Sequence, residues 1–173
     1  EVIKGNIEKV LGIPPDKLDL EFFFNNLHPE DLEKYHEKEK VGFDFLINHI
    51  PTEDIPLYKV VYLLRLKHTN GTYRTILHQS KTINVSKDGR VQHIFCVHTD
   101  LTHLNTPMDH NISFISDSRP SYYAVETNPP YVFKESQFKS LFTPRELEII
   151  DKLSLGHNNP QIADQLYISE HTI

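Results

Sequence analysis

Eleven histidines and a single cysteine, Cys96, make metal binding the first chemistry to consider. Ligand sets have characteristic spacings, and this chain contains no His-Glu-x-x-His, no Cys-x-x-Cys and no His-x-His. His68, His78, His93 and His98 fall on strand-like segments where neighbours approach across a ladder. Half-buried sheet histidines are far commoner than ligands, so no metal is expected. Catalysis fares no better. The six glycines are scattered at turns without forming a phosphate cradle, and no Gly-x-Ser-x-Gly elbow occurs. Asp31 beside His28 could do acid-base work, but Pro29-Glu30-Asp31 reads better as the first turn of a helix, where acids favour the macrodipole. The chain is not expected to be an enzyme.

The residues with the most informative spacing lie at the C-terminal end, Thr143 to Ile173. Thr143 is placed to cap a helix, with Pro144 in the first helical position and Glu146 able to close a capping box. Leu147, Ile150 and Leu153 follow at core spacing, and Gly156 supplies a left-handed stop. Asn158 and Gln161 repeat the cap, with Ile162, Ala163 and Leu166 as the apolar face of a second, short helix. Ser169 then caps a third start at Glu170, His171, Thr172 and Ile173. Short helices joined so tightly form a helix-turn-helix, whose second member is shaped for a DNA major groove.

Thr143-Pro144-Arg145-Glu146, Gly156, Asn159 to Ala163 and Ile168 to Ile173 resemble the LuxR-type (GerE-type) helix-turn-helix of bacterial transcription regulators. The resemblance implies a double-stranded DNA partner and a partial DNA-binding set of Asn159, Gln161, Ser169, Glu170, His171 and Thr172. In the family the recognition helix continues past the position of Ile173 and carries basic residues there. The chain is accordingly read as part of something longer. Charge counts against tight DNA binding by this stretch alone. The whole chain has a formal net charge of −6, and residues 143–173 carry Arg145 and Lys152 against Glu146, Glu148, Asp151, Asp164 and Glu170, or 2 − 5 = −3.

Upstream, 38% hydrophobic and 24% charged residues are what a globular fold requires, and no run approaches the roughly 20 apolar residues of a membrane helix. No membrane association is expected. One cysteine allows no internal disulfide, which suits a reducing cytoplasm. Gly5-Asn6 starts a short helix with Ile7, Val10 and Leu11, stopped at Gly12. Leu18 to Asn26 is too aromatic to be left in water. Pro29 to about Asn48 reads as a long helix with Leu32, Tyr35, His36, Phe43, Leu46 and Ile47 as its buried set. Three strands follow: Tyr58 to Lys67, Tyr73 to Val85, and Arg90 to Thr99, with turns at Asn70-Gly71 and Asp88-Gly89. The order predicts an α+β fold whose antiparallel sheet is covered by helices on one face, followed by an all-α segment.

Asn6 to Gly12, Leu27-His28-Pro29-Glu30-Asp31, Asn70-Gly71-Thr72-Tyr73-Arg74 and Asp88-Gly89 with Thr99 to Thr102 together resemble a PAS domain. The likeness spans 1–104 and departs at the beginning, where a first strand is missing or lies upstream. Residues 105–142 are expected to form an extra hairpin, Ile112 to Ile115 with Ser121 to Val125, then a stiff Thr127-Asn128-Pro129-Pro130 linker and a short helix over 134–141. The helix-turn-helix occupies 143–173. The PAS resemblance implies a sensor or dimerisation module. Such modules hold haem, flavin or small metabolites, and the sequence leaves the cofactor unknown. A haem would need His36 or His49, and the photochemical flavin variety is excluded because Cys96 lies in the last strand. With two-residue loops in both hairpins, Tyr62, Leu64, Leu77, Gln79, Ile94, Cys96 and His98 share one face. Tyr62, Gln79 and His98 are then the polar groups of a small-molecule pocket. The combined expectation is a cytoplasmic, homodimeric transcription regulator with a sensor domain. The alternative is a PAS-type interaction or ligand-binding module that does not bind DNA.

Overall fold

A computed structural model describes residues 2–134 and 142–173. By contacts the chain divides into a unit spanning Glu1–Glu135 and a unit spanning Ser136–Ile173. The helix expected over 134–141 falls almost wholly outside the described residues.

The first unit begins with α1 (Ile7–Leu11), α2 (Leu20–Asn26) and α3 (Pro29–Asp44), and a wider turn over Phe45–His49 extends α3. A 3-10 segment at Thr52–Leu57 leads into β1 (Lys59–Lys67), β2 (Tyr73–Val85) and β3 (Val91–Asp100). The hairpin β4 (Ile112–Ile115) and β5 (Tyr122–Val125) follows. The five strands form one antiparallel sheet in the order β3-β2-β1-β4-β5, so the extra hairpin extends the sheet beside β1. The fold is α+β. Helices bury one face of the sheet, against Tyr58, Tyr62, Leu64, Leu66, Ile76, Ile112 and Phe114. Phe45 is fully buried in this layer, stacked on Phe114 at 3.9 Å and edge-on to Tyr58 and Tyr122 at 5.1 Å each.

The buried face of α3 differs from the expected one. Asp31, Lys38, Val41, Gly42 and Phe45 are buried, whereas Leu32, Phe43 and Ile47 are 41%, 58% and 68% exposed, and His36 is exposed. The spacing is still that of one helix face, but two of its members are charged. The cause is the edge of β1, where β4 pairs only as far as Val61 and leaves backbone groups without a strand partner. Groups of α3 and its cap take over: Lys38 Nζ donates to Leu63 O at 2.7 Å, Arg65 N–H to Asp31 Oδ2 at 2.8 Å, and His28 N–H to Arg65 O at 2.9 Å. Burial pushes the Asp31 carboxyl up, but its bonds to Arg65 outweigh this and hold it below the usual range. Burial lowers Lys38 to about 8, opposed by Asp31 and Asp109.

Both large hairpins close with three-residue loops. In the first, Gly71 N–H donates to His68 O and His68 N–H to Thr72 O, both at 2.8 Å, with Gly71 at φ +91. In the second, Gly89 N–H donates to Ser86 O and Ser86 N–H to Arg90 O, with Gly89 at φ +80. This is a type I turn completed by a left-handed residue, for which glycine carries no steric penalty. Gly12 is required for another reason: a Cβ there would lie 2.0 Å from Thr69 Oγ1 in the first of these turns. After Val125 the chain does not leave the unit as a bare linker. Thr127 Oγ1 donates to Glu37 Oε2 at 3.0 Å, and Tyr131 and Phe133 pack against the core.

The second unit contains α4 (Pro144–Ser154), α5 (Asn159–Leu166) and a 3-10 turn at Glu170–Thr172. Ile162 and Ala163 are its buried residues among those described.

Candidate nucleic-acid interface

Each helix end in the second unit is closed by groups only a few residues away. Thr143 Oγ1 accepts from Glu146 N–H, and Glu146 Oε2 accepts from Thr143 N–H at 2.7 Å, a reciprocal capping box. The Thr143 N–H and hydroxyl donate to the Glu146 carboxylate and hold it below the usual range. At the other end His157 N–H reaches Lys152 O and Gly156 N–H reaches Leu153 O, with Gly156 at φ +83. That pair of bonds is a Schellman stop. Asn158 and Gln161 form the second capping box, at 3.0 and 3.1 Å. The end of α5 repeats the stop, through Ile168 N–H to Ala163 O and Tyr167 N–H to Asp164 O. Here the left-handed residue is Tyr167, at φ +54 and 96% exposed. Arg145 ties the two helices together through the carbonyl of Leu166.

Two residues therefore separate the end of α5 from the cap of the next turn, where Ser169 Oγ accepts from His171 N–H at 3.1 Å. Asn159, Gln161, Ser169, Glu170, His171 and Thr172 are all exposed. Two of the six have structural work as well: the side-chain oxygen of Gln161 is engaged by Asn158 N–H, and the Ser169 hydroxyl by its own turn. Asn159, His171 and Thr172 present side chains for which no cap bond is seen. Leu153, expected at core spacing, lies exposed on α4 at 48%, and Leu155 at the end of that helix at 67%.

The small-molecule set expected in the first unit is not assembled as the sequence suggested. Tyr62 and His98 do face the helices, but Gln79 lies on the opposite face, opposite Val61 and Val97, with its Oε1 3.3 Å from Lys59 Nζ. The residue between Tyr62 and His98 is His78, the cross-strand partner of both. The three-residue loops explain the correction. Each shifts the pairing by one residue relative to a two-residue loop, which turns every side chain of β2 over. The two shifts cancel between β1 and β3, so Tyr62, Ile94, Cys96 and His98 keep their expected face while Leu77 and Gln79 are replaced by Ile76 and His78.

Tyr62 is 3% exposed, its hydroxyl donates to Glu39 Oε1 at 2.9 Å, and its ring stacks on His78 at 4.4 Å. Burial, then the carboxylate of Glu39, pushes the Tyr62 hydroxyl far up, and Tyr35 beside it rises to about 12 for the same reasons. Of the two haem-ligand candidates, His36 is exposed and stacked beside Phe24, and His49 packs at 4.5 Å from the ring of Phe133. Among the described residues no helix is long and apolar enough to cross a membrane.

Comparison with curated proteins found no match to the chain. A family model does match part of it: residues 140–173 fit GerE, the bacterial regulatory proteins of the luxR family, so the C-terminal stretch is similar to that family's helix-turn-helix domain.

Proposed function

We propose that the chain is a DNA-binding transcription regulator in which residues 143–173 engage double-stranded DNA and the preceding sheet domain governs that engagement. The observation carrying this reading is the pair of capped helices, α4 and α5, followed after two residues by a third capped start, within the stretch matched by the family model. Exposed His171 and Thr172 stand where a recognition helix begins. Ser169 and the amide groups after it suit a backbone phosphate. The sheet domain is read as a PAS-like sensor or dimerisation module, and a homodimer would match two DNA half-sites.

One observation favours a second reading, a sheet module whose helical segment docks on protein: the −3 charge of residues 143–173. Salt dependence separates the two. Titrating the protein with duplex DNA between about 50 and 200 mM salt should show affinity falling steeply, because phosphate contacts release counterions. His171→Ala and Thr172→Ala should weaken binding without altering stability. Absence of DNA binding across the whole salt range would overturn the first reading and leave the second.

A further inference from the structure

We infer that His78 and His98 form a two-point binding site for a divalent transition-metal ion on the Tyr62-bearing face of the sheet, at its open β3 side. The two residues are direct cross-strand partners, and His78 Nδ1 lies 2.9 Å from His98 Nε2. Metal–nitrogen bonds of about 2.0–2.1 Å place two neighbouring ligands of one ion about 3 Å apart, so the nitrogens already stand at chelate spacing. Binding needs neutral imidazoles, and a hydrogen bond between two ring nitrogens leaves at least one of them as an acceptor. The proton now lying between the nitrogens moves to the far nitrogen of its own ring when an ion enters. Both rings stay neutral and no proton is lost.

The orientation of His78 is set before any ion arrives. Tyr62 stacks on it with the planes 16° apart, and Tyr62 is itself held by Glu39. The groups facing the pair are Tyr35, Lys38 and Glu39 from α3, Tyr62 from β1, Ser80 from β2 and Cys96 from β3. Lys38, 5.3 Å from the centre of the Tyr62 ring, opposes a cation, and the Glu39 carboxylate favours one. The way in is from β3, an edge strand whose residues 91–99 are all exposed. Among the described residues no third histidine, cysteine or carboxylate completes a larger ligand group. The remaining coordination positions therefore fall to water or exchangeable ligands, and Cu²⁺ should bind more tightly than Ni²⁺ or Zn²⁺. The site is independent of the DNA-binding reading.

The test is titration of the full chain with Ni²⁺ alone, followed by calorimetry and by the imidazole resonances. One equivalent should bind, broadening the His78 and His98 ring signals before those of the other histidines. His98→Gln should weaken binding by about tenfold or more, whereas His93→Gln, on the opposite face of the same strand, should not. The inference is overturned if Ni²⁺ does not bind, if other histidines broaden first, or if His98→Gln binds as the parent does. The broadening experiment needs no variant, so it remains decisive even if a substitution disturbs the strand.

Discussion

The two units hold themselves together by different means. In the first, the decisive contacts join residues far apart in sequence: Asp31 meets Arg65, Phe45 meets Phe114, and Tyr58 donates to Pro120 O. Its core draws on α1, α2, α3 and all of the strands except β3. In the second, the helix-closing bonds span two to five residues, within two capping boxes, two Schellman stops and the Ser169 cap, around Ile162 and Ala163, and Arg145 adds a longer link to the Leu166 carbonyl. Long-range burial makes a unit costly to perturb at single points. Local closure spreads a smaller stability over many interchangeable bonds, which suits a segment whose outer surface must stay free for a partner.

The sharpest way to break this contrast is to remove the ring at the centre of the first unit. Phe45→Ala should cost about 3–5 kcal/mol, since four aromatic neighbours surround a cavity that they cannot readily fill. Residue-resolved hydrogen exchange would read this as lost protection in β1 and β2. If the α4 and α5 amides lost protection equally, the two units would not be held separately and the comparison would fail.

The same distinction decides what sequence can reveal. Thr143, Glu146, Asn158, Gln161 and Ser169 announce their caps because each bond lies inside a four-residue window, whereas Leu153, expected at core spacing, is 48% exposed. The strands of the first unit are legible too, with β2 expected and found over Tyr73–Val85. Their facing is not. It depends on whether Asn70-Gly71 and Asp88-Gly89 close two-residue or three-residue loops, and glycine serves in both. Gln79 thereby takes the place that belongs to His78, although the pairing of a strand histidine with Tyr62 emerges once the alternative loop is considered. The buried face of α3 is hidden for another reason. Asp31 and Lys38 are buried to satisfy β1, and nothing in their local sequence reports that a strand edge 25 to 34 residues away lacks a partner.

Acid should separate the units by a smaller amount. The folded pKa of His78 lies below its ordinary value, so the unfolded chain takes up a proton first. Stability is complete above about pH 6.5 and falls by up to about 1.4 kcal/mol per pH unit as the pH drops toward 3. His98 is shifted the same way, but it is exposed on β3, where solvent screening keeps its contribution small. The lowered carboxyls, Asp31 and Glu146, retain their contributions until the pH falls through the carboxylate range. Between pH 6.5 and 5, urea unfolding should therefore show the strands weakening while the α4–α5 caps persist. His78→Gln should flatten that dependence. An unchanged slope in the variant would mean that His78 is not held neutral.

The smallest effect tests the local side of the contrast. Tyr167 occupies a left-handed conformation that disfavours a side chain, yet its ring is almost wholly in solvent and its backbone completes the stop of α5. Glycine would adopt the conformation without strain but loses more freedom on folding, so Tyr167→Gly should stabilise α5 by only about 0.5 kcal/mol. Tyr167→Val, branched at Cβ, should lose stability instead. Helix exchange rates for the three proteins would order as Gly, Tyr, Val from slowest to fastest. If glycine proved the least stable, the tyrosine ring would have to contribute through a contact at the turn, and a local backbone account of the second unit would be insufficient.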